Sequence, residues 1–216
     1  MKKIIILLGS FLLINGFIGC SNQSSAETKT EQTKEHSVPE GWEEGQIKEY
    51  IGKDKQEENM LSQVRTYYLS LLRADIKNAA HYMYEDCIPY YRKYYFSDLD
   101  DDEIINEFFK PISDVMIKSN EAYEKQGLEF NIINTGIARK TEISDTLLYI
   151  FTCTAQVVGE KKDGTTAYLH TKGKEETLGI SFDDGKTWKF MSINDDTPNV
   201  LRMRFSEDII NKVMGY

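Results

Sequence analysis

The chain predicts an α+β fold, with N-terminal helices packed on one face of a curved antiparallel sheet of about four strands and a further helix at the C-terminus. Three observations carry this reading. Apolar residues recur every three or four positions from Gln56 to Tyr123, and at every second position in the segments that follow Gly127. Turn chemistry at Asp163-Gly164 and Asp184-Gly185 separates those later segments.

The first helix opens near Gln56, where Met60, Leu61, Val64, Tyr67, Tyr68, Leu71 and Leu72 form one apolar stripe. Arg73-Ala74-Asp75 breaks the stripe, and Asp75 has the side chain of an N-cap for a short second helix bearing Ile76, Ala79, Ala80 and Met83. Pro89 is expected to close that stretch, because proline lacks the helical donor. A third helix follows the acidic run Asp98-Leu99-Asp100-Asp101-Asp102. It carries Ile104, Ile105, Phe108, Phe109, Ile112, Val115, Met116 and Tyr123, with a kink expected at Pro111. Residues 128–140 are rich in branched side chains. In 146–158 the odd positions Leu147, Tyr149, Phe151, Cys153, Ala155 and Val157 share one face. Leu178, Ile180 and Phe182 alternate inward along 165–182, and Thr187–Ile193 supplies the last strand. Residues 197–216 read as one C-terminal helix carrying Val200, Leu201, Phe205, Ile209, Ile210 and Val213.

Ahead of the domain, Lys2 and Lys3 precede an apolar run from Ile4 to Ile18, interrupted only by Gly9, Ser10, Asn15 and Gly16. A basic head and about 15 apolar residues describe a secretory leader, short of the roughly 20 that a membrane-spanning helix needs. The leader ends in Phe17-Ile18-Gly19-Cys20, which resembles a bacterial lipobox, with Phe17 where leucine is usual. That resemblance implies cleavage before Cys20, diacylglycerol on its thiol and a further acyl chain, such as palmitate, on the new amino terminus. Each buried CH₂ contributes about 0.8 kcal/mol, so two or three chains hold a protein at a membrane. Residues 20–46 follow as a polar tether, too poor in apolar groups to offset its ordering entropy, and residues 47–216 form one domain. A coil of this length reaches roughly 25–30 Å. His36 falls in the tether, and Trp42 is its first candidate for docking on the domain.

Loss of residues 1–19 removes two lysines and no acids, moving the formal charge from −9 to −11. So acidic a surface, without a basic aromatic patch, excludes nucleic acid as a partner and leaves lipid as the membrane attachment.

The stretch YYLSLLRADIKNAAHYMYEDC (67–87) resembles the opening of the nuclear transport factor 2-like superfamily, the cone-shaped α+β fold shared with ketosteroid isomerases. EIINEFFKPI (103–112) is similar to that family's third helix, and SDTLLYIFTCTAQV and GKTWKFMSIND to its paired strands. The resemblance spans roughly 58–195 and implies a cone whose pocket is able to hold a ligand or host acid–base chemistry.

SFDDGKTWKF (181–190) fits the Asp-box hairpin S-x-D-x-G-x-T-W of bacterial sialidases. Those enzymes carry one copy per propeller blade, away from the catalytic residues. A single copy, with no repeat of blade length, reads as a turn staple built from Asp183 or Asp184, Gly185 and Trp188. Asp98, Asp100 and Asp102 open like a calcium loop, but Glu103 and Phe109 stand where glycine and the bidentate glutamate belong. An acidic helix cap is the expected reading, and no metal site or cofactor is assigned. With Cys20 committed to lipid, Cys87 and Cys153 either pair in an oxidising compartment or remain two buried thiols.

No catalytic residues are assigned: Asp86, His81 and His170 are acid–base candidates without a motif around them. Tyrosine is the compositional oddity. Of 13 in the chain, Tyr82, Tyr84, Tyr90, Tyr91, Tyr94 and Tyr95 fall within 14 residues, either packing helices on the sheet or lining a binding groove. The sequence thus predicts a lipid-anchored extracytoplasmic binding or accessory lipoprotein without catalytic activity, taking a small ligand, a glycan or an envelope protein. The alternative is a cavity enzyme of the ketosteroid isomerase or polyketide cyclase type.

Overall fold

A computed structural model describes residues 38, 42–45, 48–161 and 164–216. The leader 1–19, Cys20, His36, Asp163 and most of the tether lie outside the described residues, as does the side chain of His170.

Asp54 caps α1 (Lys55–Leu72), its carboxylate accepting a hydrogen bond from Glu57 N at 2.9 Å. The predicted stripe is the buried one: Met60, Val64, Tyr67, Tyr68, Leu71 and Leu72 all face the core. Ala74, at φ 56, makes the break, and Asp75 caps α2 (Ile76–Tyr82) by accepting from Asn78 N at 3.2 Å. Pro89 does not close the second helix. α2 ends at Tyr82, and Pro89 sits in the first turn of an additional helix, α3 (Cys87–Tyr94), where a missing N–H leaves no intrahelical bond unmade. α4 (Asp101–Glu124) starts at a capping box, Asp100 and Glu103 each accepting the other's backbone N–H at 2.9 Å, and runs on through Pro111.

Among the described residues five strands form one curved, unclosed sheet: β1 (Trp42–Glu44), β2 (Leu128–Ile143), β3 (Thr146–Lys161), β4 (Gly164–Ser181) and β5 (Lys189–Ser192). Neighbours are antiparallel in the order β1-β4-β3-β2, and β5 also pairs with β4. The additional strand is β1, formed by residues whose composition reads as the end of the tether.

Register assigns the faces, because directly paired residues point the same way. Leu147, Tyr149, Phe151, Cys153, Ala155 and Val157 share a face and are each at most 3 % exposed. α1 and α4 cover this face: Tyr67 stacks on Phe190 with centroids 5.7 Å apart, and Tyr123 meets Phe130 edge-on at 5.0 Å. The opposite face is covered too. Leu148, Ile150, Leu178 and Ile180 are buried there. Arg139, paired with Ile150, donates to the carbonyls of Val213 and Met214.

The C-terminal segment is two helices rather than one, α5 (Thr197–Leu201) and α6 (Glu207–Met214). The interruption frees Phe205 to stack on Phe182, rings 6.1 Å apart and inclined by 6°. Extended backbone at Ser206 then starts α6 afresh.

β1 is short, and its hold depends on Trp42, which is 6 % exposed and packs on Tyr123 and Phe130. Trp42→Ala is expected to cost about 3–5 kcal/mol. Urea denaturation would record this as a lower midpoint, and hydrogen exchange as faster loss of the Gly45 N–H, which bonds Ala167 O at 3.2 Å.

Candidate functional site

The six clustered tyrosines divide by burial. Tyr84, Tyr90 and Tyr91 belong to the core and Tyr82 is half-buried, whereas Tyr94 is 57 % and Tyr95 41 % exposed. Helical spacing explains the split. Positions four apart stand over one another on α3, so Tyr90 meets Tyr94 at 4.8 Å, and Tyr95, the residue that caps the helix, still reaches Tyr91 at 5.8 Å. The inner ring of each pair packs inward and supports the outer ring from behind.

Asp196 fixes the face. Tyr90 Oη donates to its carboxylate at 2.8 Å, and Tyr95 Oη reaches both carboxylate oxygens at 3.3 Å. The acceptor is itself held, since Asn194 Oδ1 accepts from Asp196 N at 2.9 Å in the turn before α5. Burial first, and the Asp196 carboxylate second, push both phenols above their ordinary range, so they remain donors. Lys93 Nζ lies 5.0 Å from the Tyr94 ring centre on the same helix. The result is a small aromatic platform with a carboxylate at its edge. Nothing in the sequence couples Asp196 to tyrosines a hundred positions earlier; its local pattern reads only as a turn.

The residues considered for acid–base work do not converge. His81 is exposed, its ring edge-on to Tyr82 at 5.1 Å. Asp86 accepts from Tyr84 Oη at 2.6 Å and is paired with Arg204 at 3.0 Å. His170 contributes a described backbone only, opposite Trp42. The interior between sheet and helices is filled by rings: Phe151 meets Phe190 at 6.1 Å, and Tyr149 meets Trp188 at 5.5 Å. A methyl group added at Gly179 would meet Phe151 at 3.1 Å, Phe190 at 3.3 Å and Met60 at 3.4 Å. A shallow dimple lined by Ser70, Leu71, Ala74, Ile76, Phe109, Ile112 and Ser113 lies in the helix layer.

Two buried carboxyls escaped sequence reasoning. Glu57, 5 % exposed in α1, accepts from Tyr50 Oη at 2.7 Å, and Glu175, 6 % exposed in β4, accepts among the described side chains from Tyr68 Oη at 3.3 Å. Burial pushes the Glu175 pKa up to about 7. Its neighbours in sequence, Lys174 and Glu176, disguise it as part of a solvated charge run.

The Asp-box loop is built as a staple. Asp183 accepts from Thr187 N at 2.9 Å, Thr187 Oγ1 at 2.8 Å and Ser181 Oγ at 2.9 Å. Trp188 Nε1 donates to Gly185 O at 3.0 Å, and Gly185 holds φ 77. The loop is clipped to α1, whose Gln56 donates to Asp184 Oδ1 at 2.6 Å and whose Asn59 donates to Gly185 O at 2.6 Å. The Asp box therefore joins the sheet to the first helix.

Cys87 and Cys153 are separate, buried free thiols, not a disulfide. One opens α3 and the other lies mid-strand in β3, and burial raises both thiol pKa values. Asp100 serves as the α4 cap, and Asp101 pairs with Arg92. Among the described residues no group of three His, Cys, Asp or Glu side chains is placed to hold a metal ion. Among the same residues no helix is long and apolar enough to cross a membrane. Comparison with family models, curated proteins and solved structures finds no match.

Asp183→Ala is expected to cost about 1–3 kcal/mol, the worth of one to two charge-assisted hydrogen bonds. Slight burial acts to raise the Asp183 pKa, but the bonds from Thr187 and Ser181 bring it below the usual carboxylate value. Its stabilisation is thus present above that ordinary value and lost as pH falls through the lowered one. Urea denaturation of wild type and variant should show a clear gap near neutral pH that closes on acidification.

Proposed function

We propose that this chain is a non-catalytic lipoprotein that binds a glycan of the cell envelope. Diacylglycerol on Cys20 anchors it outside the cytoplasm, and the tether lifts the domain from the bilayer. The basic leader, the lipobox-like Phe17–Cys20 and the acidic mature chain support the anchoring. Likeness to nuclear transport factor 2-like domains supports a cone-shaped scaffold.

One observation carries the binding reading: two exposed rings, Tyr94 and Tyr95, are held from behind by buried rings and from the side by Asp196. Rings fixed in advance lose little entropy on binding. An aromatic face suits the C–H face of a sugar ring, and the adjacent carboxylate suits its hydroxyls. The platform is small beside the roughly 800 Å² per partner of a stable protein interface, which favours a saccharide over a protein. The net negative charge favours an uncharged glycan over an anionic polymer.

The isomerase or cyclase alternative requires a base facing an open apolar chamber. Asp86 is engaged with Tyr84 and Arg204, and Glu175 lies beneath Tyr68 in the ring-filled interior. The surface reading accounts for these placements better.

Two measurements test the proposal. Wild-type protein should fractionate with membranes and incorporate labelled palmitate, and Cys20→Ser should do neither; membrane retention of Cys20→Ser would refute the anchor. In calorimetric titration with soluble, uncharged N-acetylglucosamine oligosaccharides, the Tyr94→Ala/Tyr95→Ala variant should lose at least tenfold in affinity, a loss of about 1.4 kcal/mol. Undiminished binding by that variant, or no saccharide binding by wild type, would overturn the glycan assignment.

A further inference from the structure

A polar row crosses the interior face of the sheet. Register places Asn134 of β2, Cys153 of β3 and Glu175 of β4 side by side, 5 %, 0 % and 6 % exposed. Asn134 Oδ1 accepts from Gly136 N at 2.9 Å, but its Nδ2 is buried without a hydrogen-bond partner. Tyr68 of α1 lies over the row, its Oη bonded to Glu175 and to Thr177 Oγ1. The titratable groups coupled to Glu175 from the packed elements are Tyr67 and Tyr68 of α1 and Cys153 of β3, all with pKa raised by burial. All three are neutral near pH 7. Among the described side chains no cation faces the carboxyl to compensate its charge.

Glu175 also occupies a particular place on its strand. β4 is paired along its outer edge by β1 at residues 168–170 and by β5 at residues 177–180. Residues 171–175 fall between these two edge strands, since Ile193 N already bonds Glu176 O at 3.0 Å. On its inner edge the register is broken there as well, Thr154 pairing with Lys174 but Gln156 with Leu169. Among the described residues none is in ladder register with 171–173, so local opening of β4 beside this break is where water would be admitted to Glu175. Opening it moves the strand on which β1 is seated.

We propose that Glu175 is a proton-operated clasp for β1: neutral, it keeps the gap dry and Trp42 docked; ionised, it draws water into the gap and releases Trp42–Glu44. Release would lengthen the segment that precedes the domain. The clasp stands on the sheet geometry and does not depend on what the tyrosine face binds. The direction follows from linkage. A carboxyl whose folded pKa is raised to about 7 contributes stability that is complete below the ordinary glutamate value and lost as pH rises through 7.

Hydrogen exchange of the full-length domain, followed by mass spectrometry of the peptide containing residues 42–45 between about pH 4 and 8.5, tests this. After correction for the intrinsic rate, wild-type exchange of that peptide should be flat below the ordinary glutamate value. It should then rise by up to about tenfold per pH unit and level off above about pH 7, where the carboxyl is ionised in both states. Glu175→Gln, which keeps the shape and cannot ionise, should abolish the rise. Tyr68→Phe removes the bond that favours the ionised form and should move the levelling-off to higher pH; this variant keeps the test informative if the glutamine variant folds poorly. A wild-type profile that follows the intrinsic rate throughout, a rise that persists in Glu175→Gln, or no displacement in Tyr68→Phe would overturn the clasp.

Discussion

Strand length is the constraint from which the rest of the architecture follows. β2 and β3 have 16 residues and β4 has 18, so each is about 50–60 Å long at roughly 3.3 Å per residue. The 18 residues of α1 span only about 27 Å. One helix therefore cannot cover one face. α4 takes the next portion beside β2, and Trp42 fills the space between Tyr123 and Phe130. The register shifts in β2, between Asn134 and Gly136 and between Ile137 and Arg139, mark where the strand bends around its cover. The other face needs its own roof, supplied by the two short C-terminal helices and by Phe205 on Phe182.

Local rules made much of this legible. The stripe of α1, the odd positions of β3, the Asp75 and Asp100 caps and the Asp-box staple each depend on residues within a few positions of one another, and each is found as expected. Pro89 misled because a proline terminates a helix from its interior yet fits its first turn, and only the backbone distinguishes the two. The C-terminal segment misled for a similar reason. Its apolar spacing satisfies one helix or two, and the stacking of Phe205 on a ring 23 positions away decides between them. Trp42 was legible as a docking residue but not as part of a strand, and Asp196 and Glu175 were illegible, because each acquires its place from long-range register, which periodicity does not encode.

The tyrosine cluster shows how one composition serves two purposes. Burial of Tyr84, Tyr90 and Tyr91 is ordinary core packing, each phenol retaining its proton. The helical period then places Tyr94 and Tyr95 directly outside that layer, so the exposed rings inherit rigidity from the buried ones. Asp196 completes the arrangement from α5's approach, tying the platform to the C-terminal roof. A platform built this way cannot be removed without disturbing the core, but its outer rings are replaceable at little structural cost.

Glu175 is the point at which the interior departs from economical packing. Glutamine would occupy the same volume, keep the bond from Tyr68 and never carry a charge; leucine would also remove the need for a polar partner. Glutamate adds one property to these, the ability to ionise, and in an apolar interior that property lowers stability as pH rises. The cost falls beside the register break and, among the described residues, between the two edge strands, rather than at the centre of the ladder. A destabilising group seated beside a break in its ladder couples its protonation to opening of that break, whereas the same group beneath a continuous ladder would only weaken the fold.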